Sequence, residues 1–364
     1  MHNLGLYIHI PFCAKKCAYC DFYSTFAEGT VIERYLSALE KEINKWGGLT
    51  DRPIDTIYIG GGTPSLLKEN IGDIVKKVKD SFLVTDNAEI TVEANPCSIS
   101  EEFLISAKKS GVNRLSIGVQ SGNDKELKIL GRMHTAKQSS DAINLARKFG
   151  FDNISLDLML CLPDSNLETL KENLDYITVL SPEHISAYML KIEENTLFAN
   201  KSDLNLPDEE GEAKQYLYMC KYLENKGYEH YEISNFCKEG RESRHNLKYW
   251  NCEEYIGIGP SAHSFFEGKR FYYPNDLKGF IADSQTVLDS EGGSREEELM
   301  LALRLKKGVD ITKFYNPLPE NLKQSLKKLV AEDLIEYNHP NISLTDKGML
   351  VSNIIITELI YENL

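Results

Sequence analysis

Six short apolar runs recur along the first half of the chain, each followed by a stretch with helical spacing, and this alternation leaves few folds open. The strand-like runs are Leu6–Ile10, Thr56–Ile59, Glu89–Ala94, Arg114–Val119, Ile154–Leu160 and His184–Leu190. Short apolar strands of this kind suit a parallel sheet covered on both faces. Between them, Val31–Trp46 repeats apolar residues at helical spacing through Ile32, Tyr35, Leu36, Leu39 and Ile43. Asn70–Phe82, Ser100–Ser110, Asp141–Phe149 and Leu167–Leu180 continue the pattern, and Ser100 with Glu101 and Glu102 reads as a cap and acidic first turn. Successive strand–helix units predict a parallel α/β architecture. A doubly wound sheet would satisfy them. A partial barrel is favoured, because candidate site residues recur at the C-terminal ends of several strands, where a barrel carries its site.

The rest of the chain changes character. A helix is expected over Glu210–Lys226, then a strand over Tyr228–Asn235, then an irregular aromatic and Gly-rich stretch over 240–274. Ser290–Ser294 has linker composition, and the tail reads as helix (Arg295–Leu305), helix (Asn321–Glu332), a small hairpin (Leu334–Tyr337, Ile342–Leu344) and helix (Thr345–Leu359), like a winged-helix module.

With 42% hydrophobic residues the chain has material for a sizeable core, and a formal charge of −14 disfavours non-specific nucleic-acid binding and a polybasic membrane anchor. The start of the chain shows no basic region followed by an apolar one, and no apolar run approaches bilayer length. The expectation is a soluble, acidic, cytoplasmic protein.

The chemistry concentrates at Cys13, Cys17 and Cys20, in C-x3-C-x2-C spacing at the end of the first strand. Three thiolates on one loop can hold three irons of a [4Fe–4S] cube and leave the fourth iron open to a ligand. A zinc site would need a fourth ligand, for which His9 is available. Cys97, Cys161, Cys220, Cys237 and Cys252 are scattered and form no disulfide framework. The second strand ends in Gly60-Gly61-Gly62-Thr63-Pro64-Ser65, which reads as a tight turn or as a cradle whose backbone approaches a ligand closely. Glu93 closes the third strand, Gln120 the fourth, with Arg132 beyond it, and Asp157 interrupts the apolar fifth. A buried charge is costly unless paired, so Arg132 is the expected partner of Asp157, as a structural ion pair or as part of the site.

These stretches together resemble the radical S-adenosylmethionine (SAM) superfamily, and over nearly the whole chain the oxygen-independent coproporphyrinogen III oxidase group. The resemblance rests on Y-I-H-I-P-F-C-A-K-K-C-A-Y-C-D-F, G-G-G-T-P-S, V-E-A-N-P, S-I-G-V-Q-S, I-S-L-D-L, G-Y-E-H-Y-E-I-S-N-F, R-H-N-L-K-Y-W and Y-I-G-I-G-P-S-A-H-S. It implies a partial (β/α)6 barrel over 1–240 with the cluster loop and SAM site, a segment 241–294 carrying an H-N-x-x-Y-W motif, and a winged-helix-like module over 295–364. It further implies that Cys13, Cys17 and Cys20 ligate a [4Fe–4S] cluster, that Tyr7 and Tyr19 line the SAM site, that Gly61, Gly62 and Thr63 contact its methionine end, and that Glu93, Gln120, Arg132 and Asp157 hold its other polar atoms.

Two departures separate the chain from the oxidases. Phe22 stands where they carry a fourth cysteine, and the first strand begins almost at once. Both point to the sister family, the heme chaperone HemW family, which binds heme and passes it to acceptor proteins. That resemblance implies heme, respiratory and membrane-associated acceptors, a reductant donor and a homodimer. It makes His245 a candidate axial ligand, against the alternative of a hydrogen-bonded histidine fixing a turn under the barrel. His263 is a weaker candidate. Cys161, where the family usually has glycine, adds a side chain near the site. The rival to a chaperone is an enzyme that decarboxylates the propionates of coproporphyrinogen III.

Overall fold

The computed structural model describes residues 3–26 and 28–360. Met1 and His2, which enter the reading of the chain's start, lie outside them. Strand β1 (Leu4–Ile10) leads into β2 (Phe12–Cys13), which pairs with β3 (Thr25–Phe26). Then follow α1 (Gly29–Gly47), β4 (Ile54–Gly61), α2 (Asn70–Ser81), β5 (Val84–Ala94), α3 (Glu101–Ser110), β6 (Arg114–Gln120), α4 (Asp124–Ile129), α5 (Ala136–Lys148), β7 (Ile154–Leu160), α6 (Leu167–Val179) and β8 (His184–Met189). Neighbours in the order β1-β4-β5-β6-β7-β8 pair in parallel throughout. This is the expected partial (β/α)6 barrel, and it is open.

The parallel strands alternate more sharply than short apolar runs suggest. Leu4, Leu6, Ile8 and Ile10 share one face of β1 and are fully buried, as are Ile57 and Ile59 of β4, Leu115 and Ile117 of β6, and Leu156 and Leu158 of β7. The opposite face carries Tyr7 and His9, Tyr58, Glu93, Arg114 and Ser116, Asp157, and Ser186 and Tyr188. Each apolar side chain fully buried under the helices contributes about 1.5–3 kcal/mol, so the outer layer holds the sheet while the inner face is left to polar chemistry. Register completes that face: Tyr7 lies opposite Tyr58, Glu93 opposite Ser116, and Asp157 opposite Ser186.

After α7 (Glu209–Asn225), the single strand expected over Tyr228–Asn235 is a tight antiparallel pair, β9 (Glu229–Glu232) and β10 (Asn235–Cys237), with β10 continuing the sheet beyond β8. The stretch expected to be irregular is regular. It holds α8 (Arg244–Trp250), β11 (Tyr255–Ile258), β12 (His263–Phe266) and β13 (Lys269–Tyr272); α9 (Leu277–Ile281) and β14 (Val287–Glu291) follow, β14 reaching into the stretch of linker composition, and β11 extends the sheet from β1. Four-residue strands joined by turns such as that at Gly268 (φ 73°) are too short to show a period in sequence.

The tail forms α10 (Arg295–Ala302), β15 (Val309–Asp310), α11 (Glu320–Ala331), β16 (Ile335–Asn338), β17 (Asn341–Leu344), α12 (Asp346–Leu350) and α13 (Ser352–Ile360), with a three-stranded sheet in the order β15-β17-β16. This winged-helix-like module is seamed to the sheet edge. The Ile233 N–H donates to the Arg304 carbonyl at 3.1 Å, the Lys306 N–H to the Tyr231 carbonyl at 3.0 Å, and Asp346 accepts from Lys306 and lies 3.2 Å from His230. Among the described residues no helix is long and apolar enough to cross a membrane.

Candidate functional site

A cavity of ≈ 380 Å³ opens at the C-terminal ends of the parallel strands. Cys13, Cys17, Cys20, Tyr19, Gly61, Gly62, Thr63, Glu93, Gln120, Arg132 and Asp157 all line it. Residues spread over more than a hundred positions therefore meet because their strands end side by side.

The cysteine loop is tied down at several points. The Ala18 N–H donates to the Leu130 carbonyl at 3.0 Å, and the Phe198 N–H to the Ala18 carbonyl at 3.0 Å. Thr63 Oγ1 lies 3.5 Å from Cys13 Sγ, and Arg132 Nη1 donates to Cys17 Sγ at 3.5 Å. These are the donors that thiolate charge calls for. Without a metal, burial pushes the Cys20 thiol up to about 11, and the neighbouring Cys17 and Cys13 add to the shift. A bound metal reverses that by taking the proton's place.

Glycine matters here for close approach. A Cβ on Gly62 would meet the Phe12 carbonyl oxygen at 2.6 Å and the Ile10 carbonyl oxygen at 2.9 Å. Gly61 has φ 109°, and its Cβ would strike the His9 ring at 2.6 Å. The amides are not free for a ligand: Gly61 donates to Glu93 Oε2 at 3.0 Å, Gly62 to the Ile10 carbonyl at 2.7 Å and Thr63 to the Phe12 carbonyl at 2.8 Å. The cradle thus binds the end of β4 to the cysteine loop, and only its open side faces the cavity.

Glu93 is held by Tyr58, whose hydroxyl donates at 2.9 Å, and by the Gly61 amide. Burial first, then the nearby Asp157 charge, raises its carboxyl to about 7 against the pull of those two bonds and of Arg114. Burial also raises Asp157, which accepts from Ser116 at 3.2 Å. The expected Asp157–Arg132 ion pair is corrected: Arg132 spends its guanidinium on Cys17 and the Gly118 carbonyl, and Arg114 bears on Asp157 more strongly than Arg132 does. Arg114, 1% exposed, lines the cavity and escaped the sequence reading. So did Tyr58, Ser116 and Ser186. Their signal was the two-residue alternation that places them beside Glu93 and Asp157. Gln120 takes φ 70°, a left-handed conformation that turns the chain at the end of β6.

Two expected residues stand apart from the lining. Tyr7 is one layer below, its hydroxyl 2.9 Å from His9 Nδ1 and its ring 6.2 Å from that of Tyr58. His245 is 1% exposed in α8, which plugs the sheet's N-terminal side. There the Arg244 and His245 amides each donate to the Glu89 carboxylate at 3.1 Å. Thr56 Oγ1 sits 2.8 Å from His245 Nδ1, the Tyr249 hydroxyl 2.8 Å from Nε2, and the ring stacks on Tyr58 at 5.3 Å. Both ring nitrogens are thus used, and burial, then Lys248 and Arg114, depress its pKa to about 3. In this structure His245 has the bonding of the alternative reading, a neutral histidine fixing backbone under the barrel. His263 is exposed and stacks on Tyr272 at 5.2 Å, away from the cavity. Cys161 is buried outside the lining at φ 58°, a conformation that explains glycine at such a position.

The donor set fits a cluster with SAM better than a single ion. Zn–S bonds of about 2.3 Å bring tetrahedral ligands within roughly 4 Å of one another. Among the described residues, the one trio of possible ligands within 4.8 Å of one another is Cys220, His230 and Asp346, not the three loop cysteines. No fourth cysteine lines the cavity. Arg114 and Arg132 each keep a buried Nε without a partner, a match for a ligand that brings a carboxylate.

Comparison with known proteins agrees with this geometry. Residues 7–177 match the Radical SAM superfamily, and residues 294–351 match the HemN C-terminal domain. The chain is 38% identical to the heme chaperone HemW of Bacillus subtilis (strain 168), over 95% of this chain and 96% of that protein. It is 43% identical to that of Buchnera aphidicola subsp. Schizaphis graminum (strain Sg), over 96% of each. Among solved structures, the coproporphyrinogen III oxidase (HemN) of Escherichia coli shares the fold with a TM-score of 0.85 at 23% identity, covering 99% of this chain and 90% of that one.

Proposed function

The chain belongs to the heme chaperone HemW family of the radical SAM superfamily, and from that premise we propose that it binds heme and transfers it to acceptor proteins, on a scaffold built for a [4Fe–4S] cluster and SAM. The observation that carries this reading is similarity to curated heme chaperones along nearly the whole chain, 38% identity over 95% of it in one case. Similarity to the oxidase at 23% identity speaks to fold alone.

In this reading Cys13, Cys17 and Cys20 hold the cluster, with Thr63 and Arg132 donating to two of the sulfurs. When bound, the cluster and SAM together supply one-electron chemistry at the mouth of the barrel. Gly61, Gly62 and Thr63 let backbone approach SAM, Tyr19 flanks it, and Glu93, Gln120, Arg132 and Asp157 receive its polar atoms. Glu93 does so as a carboxyl close to its midpoint at neutral pH, held in place by Tyr58. Tyr7 supports that wall from behind. The acceptors are respiratory, membrane-associated proteins, the partner in redox chemistry is a reductant donor, and the working form is a cytoplasmic homodimer. The chain's eight cysteines, all free among the described residues, suit a reducing compartment.

The test is anaerobic reconstitution with iron and sulfide, followed by heme titration and, separately, by incubation with coproporphyrinogen III, SAM and a reductant. A stable heme complex with no conversion of coproporphyrinogen III supports the reading. Turnover of that substrate to a divinyl product would replace it with the oxidase.

A further inference from the structure

Two ligands and one cavity raise a question of space. A cavity of ≈ 380 Å³ takes one small molecule, and on the reading above that molecule is SAM. Heme is a flat apolar plate with two propionate arms and has to lie elsewhere. We propose that heme docks across the cavity mouth, its ring face on Phe22 and its propionates on Lys15 and Lys16. The inference rests on the heme-chaperone reading.

Phe22 is 70% exposed and lines the cavity, so its ring stands at the rim with little to cover it. Tyr188, 43% exposed, lines the same cavity at the end of β8. Single exposed apolar residues need no explanation, but two exposed aromatic rings on one opening point to a binding surface. Lys15 and Lys16 are exposed, line the same mouth and have no carboxylate partner among the described residues. Two unpaired cations side by side are notable in a chain of net charge −14. An aromatic face bordered by two free ammonium groups matches an apolar plate that ends in two carboxylates. The buried histidine of α8 is not needed for this contact.

The experiment uses the full chain with its cluster reconstituted anaerobically, titrated with heme and with heme dimethyl ester, which lacks the propionate charges. Exposed ion pairs are individually weak, so losing two is expected to weaken heme binding on the order of tenfold. Lys15→Glu/Lys16→Glu should show this loss, while its affinity for the ester stays at the wild-type value. Phe22→Ser should weaken both ligands, and saturating SAM should leave heme binding in place. Iron and sulfide content reports whether each variant keeps its cluster, and Lys15→Gln/Lys16→Gln repeats the test if charge reversal disturbs it. Wild-type chain that binds heme, with unchanged affinity in both lysine variants or equal affinity for the ester, overturns the docking site alone. Competition between heme and SAM overturns it too. Wild-type chain that binds no heme overturns the heme-chaperone reading itself.

Discussion

Replacing His245 by alanine separates a structural histidine from a heme ligand. The variant removes two 2.8 Å hydrogen bonds and orphans Thr56 Oγ1 and the Tyr249 hydroxyl beneath the sheet. Each buried orphan costs about 1–3 kcal/mol. Losing the stack on Tyr58 adds roughly 0.5–1.5 kcal/mol. The sum, about 2.5–7.5 kcal/mol, is a large share of the ~5–15 kcal/mol that stabilises an ordinary domain. Equilibrium denaturation should therefore show a marked fall in midpoint. Heme titration of the folded protein should stay within about twofold of wild type, because both His245 nitrogens are already hydrogen-bonded. Thr56→Val gives an independent check, since it orphans Nδ1 while leaving the imidazole present, and should cost about 1–3 kcal/mol without touching heme affinity. A His245→Ala protein as stable as wild type that no longer binds heme would refute the reasoning.

Glu232 is buried at the seam with the tail module, and burial raises its carboxyl to about 7 from an ordinary value near 4.5. Its folded form holds the proton more tightly, so its contribution is full below about pH 4.5 and is lost as pH climbs through 7. Glu232→Gln should remove that decline, up to about 3 kcal/mol, and a denaturation midpoint still falling as steeply with pH would contradict it. Gly62→Ala pushes a methyl against two carbonyl oxygens of the cysteine loop. SAM affinity, read by equilibrium dialysis, should drop at least about tenfold, and unchanged affinity would show that close approach is not needed. Cys17→Ala should abolish the reconstituted iron–sulfur absorption while leaving the far-ultraviolet dichroism of the sheet intact. Retained iron at wild-type stoichiometry would remove Cys17 from the ligand set.

The barrel was legible because its helices carry a clear period and its strands end in punctuation such as Gly60-Gly61-Gly62 and Asn95-Pro96. The site was legible where chemistry is rare, at three spaced cysteines and a carboxylate inside an apolar strand. Partners across the sheet were not. Arg114 opens its strand with nothing in its local sequence to mark it as part of the site, yet register sets it on the inner face below Glu93. Without that register, Arg132 is the partner the sequence offers Asp157, although Arg114 bears on it more strongly. His245 carries the side chain of a ligand, and only tertiary packing reveals that Thr56, far away in sequence, already occupies it. The four-residue strands after α8 fell below the length at which alternation can be read.

The central claim is that this scaffold carries heme to other proteins. The most direct measurement mixes the heme-loaded, cluster-reconstituted chain with membrane vesicles holding a heme-free respiratory acceptor and follows the acceptor's heme absorption. The account predicts transfer from the loaded chain, with the acceptor gaining the heme that the chain loses. Heme retained by the chain, with coproporphyrinogen III converted when supplied with SAM and reductant, would contradict it.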